Sequence, residues 1–223
     1  MIEEEIQEFD KVKEFDKNQV EVISRLIHTS SCFEQVLDNI YFSDNSIENI
    51  KRLLAYSAIS NIGFIILAIG LVTNEGLQAS LYYTIVYSLT ALASFGIITH
   101  ITANSHGIEN ISDLAGLAKT HPYFAILILI TMLSAAGIPP LIGFHAKLMV
   151  IQALINSSYI AIALIVVLMT VISAYYYLKV IKTIYFDDRV ELIATFSNNH
   201  LVLSINTVSL VLLGLFPYLV FNL

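Results

Sequence analysis

The chain changes character near residue 50. Before that point polar residues are frequent, and apolar ones recur at helical spacing: Val20, Ile23 and Ile27, then Phe33, Val36, Leu37, Ile40 and Tyr41. The spacing predicts two short amphipathic helices, broken near residues 28–31, whose apolar stripes dock on a neighbour. Beyond it, long apolar runs occupy 53–73, 79–103, 159–185 and 200–221. A bilayer core of roughly 30 Å needs about 20 apolar residues per helix, so each run predicts one membrane pass.

A fifth apolar region, 122–156, has 35 residues. As one straight helix at ~1.5 Å per residue it would reach roughly 52 Å, too long for a single pass. It is interrupted at Gly137-Ile138-Pro139-Pro140. The prolines have no N–H to donate and clash with the preceding turn, and a residue before proline is driven from helical angles. Broken backbone at membrane depth survives where protein covers it or where it lines a wet cavity, so this segment is expected to face a bundle interior. In transporters such interruptions mark the ion or substrate path.

Charge placement sets the expected topology. Basic residues prefer the cytoplasmic or matrix side. With Lys51 and Arg52 inside, the 73–78 turn is outside and Lys119 is inside. A single discontinuous pass over 122–156 then puts Lys179, Lys182 and Arg189 inside, as the rule prefers. Two passes would put them outside. The expected fold is an all-α membrane protein of about five transmembrane helices. One of them is discontinuous, and a polar helical extension over 1–50 precedes the 51–223 transmembrane domain.

Composition agrees. Of 223 residues 57% are hydrophobic and 13% charged, and the mean hydropathy is +0.75. The net charge of −7 belongs to the extension, where residues 1–50 hold twelve of 18 acidic residues and four of 11 basic ones. An acidic head disfavours nucleic acid and anionic lipid as partners. Cys32 is the only cysteine, so neither an internal disulfide nor a thiol-built metal site is expected. The N-terminus lacks the basic start and apolar core of a secretory signal and is too acidic for a transit peptide.

Lys147 is the leading candidate for chemistry. It follows the break by a few residues, in apolar surroundings. Burial makes a charged amine costly, and the positive end of the following half-helix acts in the same sense. A lysine so placed can load and release a proton; the bland alternative is an ion pair or a snorkel to the interface. His145, two residues earlier, points to a different helix face and is a candidate for a water chain or for a quiet interhelical hydrogen bond. His100, near the inner end of the second run, lines an interface or relays. Lys179 and Lys182 share a face after Tyr175-Tyr176-Tyr177, which resembles an interfacial anchor, with Lys179 as a second candidate for an inward proton path. Ser57, Ser60, Asn61, Thr84, Ser88, Thr90 and Ser94 either bond between helices or hold water. His106 and His121 fall in a loop and do not make a metal site. No carboxylate lies inside a predicted pass, and nucleotide-binding and nucleophile motifs are absent.

Three blocks carry a family resemblance: KRLLAYSAISNIGFIILAIG (51–70), HPYFAILILITMLSAAGIPPLIGFHAKLMVIQALI (121–155) and SAYYYLKVIKTIYFD (173–187). In order and spacing they resemble subunit 2 of respiratory complex I, an antiporter-like membrane subunit related to Mrp-type cation/proton antiporters. The match runs from about Asn45 to the C-terminus.

The resemblance implies a proton channel built of two inverted five-helix units, each with a broken helix carrying a buried lysine. Lys147 then stands for the lysine of the second unit, exchanging protons in the outer half-channel. It implies residence in the mitochondrial inner membrane, with other complex I membrane subunits and the lipid bilayer as partners. This chain would hold no cofactor; NADH, FMN, iron–sulfur clusters and ubiquinone would belong to other subunits. The family's first unit, with its own lysines and a glutamate, is replaced here by the acidic head, so a separate chain is expected to supply it. Two further departures are Asn61, where relatives commonly place histidine, and His145, where an apolar aromatic is usual.

Overall fold

The computed structural model describes residues 49–104, 110–188 and 201–218. All but the last two residues of the expected 1–50 extension, including Cys32, lie outside the described residues, as do His106 and Arg189. Among the described residues seven α-helices follow in order: α1 Ile50–Gly70, α2 Asn74–Asn104, α3 Leu117–Thr120, α4 Pro122–Ala136, α5 Ile142–Asn156, α6 Ile160–Phe186 and α7 Leu201–Leu215. Among the described residues the fold is all-α; extended backbone pairs only at an isolated bridge between Asn49 and Asn110.

Local chemistry sets the helix starts. The Asn49 side chain accepts from the backbone N–H groups of Lys51 and Arg52, at 2.9 and 3.2 Å, and caps α1. Pro122 opens α4, where its missing N–H goes unneeded. The stretch Ser112–Thr120 meets α4 at a bend of 119°, so it turns away from the α4 axis. Glu75, expected in a turn, lies instead in the first turn of α2, where a carboxylate suits the helix dipole.

By length and composition α1, α2 and α6 can each cross a membrane. Their outward stripes are apolar: Ile59, Ile62, Ile66 and Ile69 on α1, and Leu164, Leu168 and Val171 on α6 are all exposed. So much exposed apolar surface at helical spacing fits a lipid or protein surround. The remaining apolar helices, α4, α5 and α7, have 15 residues each.

Packing shows how the two short central helices divide the bundle. One core cluster joins α4 to the N-terminal half of α1 (Ile50, Leu53, Leu54) and to the C-terminal parts of α2 (Ile97, Ile101) and α6 (Tyr177, Val180, Ile184). The other joins α5 to the C-terminal half of α1 (Phe64, Leu67) and to the N-terminal parts of α2 (Tyr83, Val86) and α6 (Ile162, Val166). Helices α4 and α5 thus occupy opposite ends of the same bundle, the arrangement of one discontinuous pass.

The break is a built structure. Gly137 ends α4 in the left-handed conformation (φ 82°), and Ile138 N–H returns to Leu133 O at 3.1 Å. Helix α7 crosses close by, because a Cβ on Gly214 would lie 2.3 Å from Pro140 O and 2.6 Å from Ile142 N. Only part of the break is covered. Gly137 and Ile138 are half-buried, but Pro139 and Pro140 are exposed, contrary to the expectation that the whole segment faces inward. The reason is local: proline has no N–H that needs a partner, so its ring tolerates the bundle surface.

Candidate functional site

Lys147 lies in the second turn of α5 and is 7% exposed. A helical side chain leans toward the N-terminus of its helix. Here that lean carries the amine past the start of α5 to the end of α4. Nζ donates to Ala135 O and Ala136 O, both at 2.9 Å. These carbonyls belong to the last turn of α4, where a helix has no partners of its own to offer. They also form the negative end of the α4 dipole, which favours a cation. The dipole at the amine is therefore that of α4 and opposite in sign to the one expected from α5, because the side chain reaches backward across the break. Phe64 adds its ring face at 5.8 Å from Nζ.

A cavity of about 30 Å³ borders the amine, with Ser57, Asn61, Tyr83, Ser134 and Tyr177 among its lining. Apart from Ser134, their polar side chains form a connected cluster. Ser57 Oγ and Tyr177 Oη are hydrogen-bonded. Asn61 Nδ2 donates to Ser57 O at 2.8 Å, and Tyr83 Oη donates to Asn61 Oδ1 at 2.8 Å. Gly143 lets α5 approach this region, since a Cβ there would fall 1.9 Å from Ser134 O. Lys147 is the one charged side chain among the cavity's described lining residues.

Of the expected site residues, the structure brings Lys147 and Asn61 together at this cavity, and the polar candidates Ser57, Thr90 and Ser94 also line it. His145 is half-buried on another face of α5, edge-on to Phe144, and its Nδ1 has no hydrogen-bond partner. His100 stacks on Phe124 with ring centroids 5.6 Å apart and lines a groove on the outer side of α2. Lys179 is exposed on α6, and Lys182 pairs with Asp187 at 3.7 Å. The tyrosine triplet divides: Tyr175 is 49% exposed, but Tyr176 and Tyr177 are buried at 4% and 1%, so Tyr177 is an interior hydrogen-bonding group and not an interfacial anchor. Successive residues on a helix point in different directions, and this separates them. Thr84, Ser88, Thr90 and Ser94 donate to carbonyls four residues back on α2 instead of bridging helices.

Sequence reasoning did not single out Tyr83 or Ser134, and it read Tyr177 only as part of an interfacial anchor. Ser57 and Asn61, four apart on α1, gave a visible polar face; their partners on α2 and α6 carry no local signal. Among the described residues no group of three His, Cys, Asp or Glu is placed to hold a metal ion.

The profile of the NADH:quinone oxidoreductase/Mrp antiporter transmembrane family matches residues 40–173. The chain belongs to this family. Among curated relatives, the NADH-quinone oxidoreductase subunit N of Hydrogenovibrio crunogenus is 43% identical over 173 residues, covering 76% of this chain and 36% of the relative. That of Ruthia magnifica is 46% identical over 171 residues, covering 76% and 35%. The chain therefore spans about a third of the length of these relatives. In a solved structure, a chain of the Mrp complex from Dietzia sp. superposes with a TM-score of 0.74 at 22% identity, over 88% of this chain and 44% of that one, and so shares its fold. The profile match includes the break and Lys147, and Tyr177 lies just beyond its end.

Proposed function

We propose that this chain is a proton-translocating membrane component of an NADH:quinone oxidoreductase, in the position of subunit 2, with Lys147 as its proton carrier. The observation that carries the reading is the lysine itself: a buried amine at a helix break, held by two backbone carbonyls and bordering a polar cavity. An ionisable group inside a membrane bundle is costly and marks a path for ions or protons. In this reading quinone reduction occurs in other subunits, which also hold NADH, FMN, iron–sulfur clusters and ubiquinone. The first antiporter-like unit comes from outside these 223 residues, in the reading we favour from a separate chain. The 1–50 segment is a separate acidic extension of the transmembrane domain, and the membrane is the mitochondrial inner membrane. His145, His100 and Lys179 remain proposed proton-path residues, in order of distance from the break along the chain.

The test is Lys147→Ala in the assembled complex. Proton pumping per electron should fall while the complex still assembles. Normal pumping in that variant would remove the case.

A structural reading has its own observation: Lys147 ties the end of α4 to α5, so it could serve assembly alone. Under that reading the variant fails to assemble. A cation/proton antiporter reading draws on the fold shared with the Mrp complex. Sodium-dependent exchange by the purified chain, without quinone reductase partners, would support it.

A further inference from the structure

The amine of Lys147 has one tetrahedral position to spare. Two N–H groups go to Ala135 O and Ala136 O. A neutral amine carries two N–H groups and a lone pair; an ammonium carries a third N–H in place of the lone pair. Both carbonyls therefore stay bonded in either protonation state, and only the third position changes. The Phe64 centroid, 5.8 Å away, is too far for a hydrogen bond and acts through its field. The other neighbour with polar groups to offer is the cavity.

Ser134 borders the same cavity from α4. It is 1% exposed, and its Oγ has no hydrogen-bond partner. Leaving a buried hydroxyl unpaired costs about 1–3 kcal/mol. A water needs roughly 10–15 Å³ of such space and two to four polar partners. A cavity of about 30 Å³ lined by Ser57, Ser134, Lys147 and Tyr177 meets both needs.

We infer that an ordered water is bound here, between Ser134 Oγ, the spare position of Lys147 and the Ser57–Tyr177 hydroxyl pair, and that this water exchanges the proton with Lys147. Tyr177, fixed by Ser57, is then a positioning residue for the water. The inference rests on the proton-carrying reading of Lys147. In the step, an N–H bond of the ammonium breaks and an O–H bond to the water forms, leaving the lone pair facing the water. That water passes one of its own protons to a second water on the side of the cavity lined by Tyr87, Ala91 and Phe95, residues that also line the outer groove of α2. Reloading runs the same transfers in reverse. The titratable groups around the path are Tyr83 and Tyr87 from α2 and Tyr177 from α6, with His100 of α2 farther along the groove.

The experiment uses the assembled complex in proteoliposomes and compares Ser134→Ala, Tyr177→Phe, the double variant and Lys147→Ala. Each single change should slow proton pumping about five-fold, the equivalent of one ordinary hydrogen bond. The solvent deuterium isotope effect on pumping should rise in both. If both act through one water, the double variant should lose no more than the worse single. Additive losses, or unchanged pumping in both singles while Lys147→Ala is inactive, overturn the water site and leave the proton-carrier reading standing. Normal pumping in Lys147→Ala overturns that reading, and this inference with it. Should the variants fail to assemble, a map of the unaltered complex that resolves ordered waters decides. Density within hydrogen-bonding distance of both Ser134 Oγ and Lys147 Nζ supports the site, and its absence there overturns it.

Discussion

Gly137 and Lys147 share one small space: a Cβ on Gly137 would lie 2.8 Å from Lys147 Cδ and 3.3 Å from its Nζ. The lysine stem runs over the residue that ends α4, and that residue has no side chain to obstruct it. The same glycine holds φ at 82°, a conformation that other L-residues adopt only at a cost.

Gly137→Ala should therefore do two things at once. The left-handed backbone costs about 1–2 kcal/mol with a Cβ present. The displaced lysine loses its bonds to Ala135 O and Ala136 O. Thermal denaturation of the complex should shift down, and proton pumping should fall with it. Unchanged pumping would show that the amine does not depend on this glycine.

Lys147→Arg separates charge from proton exchange. A guanidinium keeps the positive charge beside the α4 carbonyls but does not release its proton in proteins. Assembly on native gels should be retained in both Lys147→Arg and Lys147→Ala, with pumping lost in both. Pumping by the arginine variant would mean that charge alone suffices.

Gly214→Ala tests the cover over the break. The added Cβ meets backbone at Pro140 and Ile142, which cannot swing aside as a side chain can. Overpacking of this kind costs about 1–3 kcal/mol. The yield of assembled complex and its melting temperature should drop, while the pumping per electron of the complex that does assemble stays close to normal.

Asn61→Leu removes the acceptor for Tyr83 Oη and the donor to Ser57 O. An unpaired buried hydroxyl costs about 1–3 kcal/mol, and the side chain that borders Ser57 and Tyr177 is lost. Stability and pumping should fall together. Asn61→His, which keeps a hydrogen-bonding side chain at this position, should keep more of both.

The passes were legible because they depend on local quantities. Apolar run lengths placed helices at 53–73, 79–103 and 159–185, and the structure has them at Ile50–Gly70, Asn74–Asn104 and Ile160–Phe186. Within the 200–221 run, α7 is Leu201–Leu215, Phe216 and Pro217 follow it outside helix, and the end of the run lies outside the described residues. The tyrosine triplet was misread. Composition near a helix end suggests an interface, but burial of Tyr177 depends on which way α6 is rotated against α1 and α2.

By itself the sequence determined the membrane-spanning runs, the break at Gly137–Pro140 and a lysine in apolar company, because chain hydropathy and the missing N–H of proline act within a few residues. The tertiary structure alone decided where the amine points and what surrounds it. Lys147 reaches back eleven and twelve residues to α4. Ser57 meets Tyr177 across 120 positions of chain. Such meetings depend on the rotation and crossing of packed helices, and no local pattern in the chain encodes that.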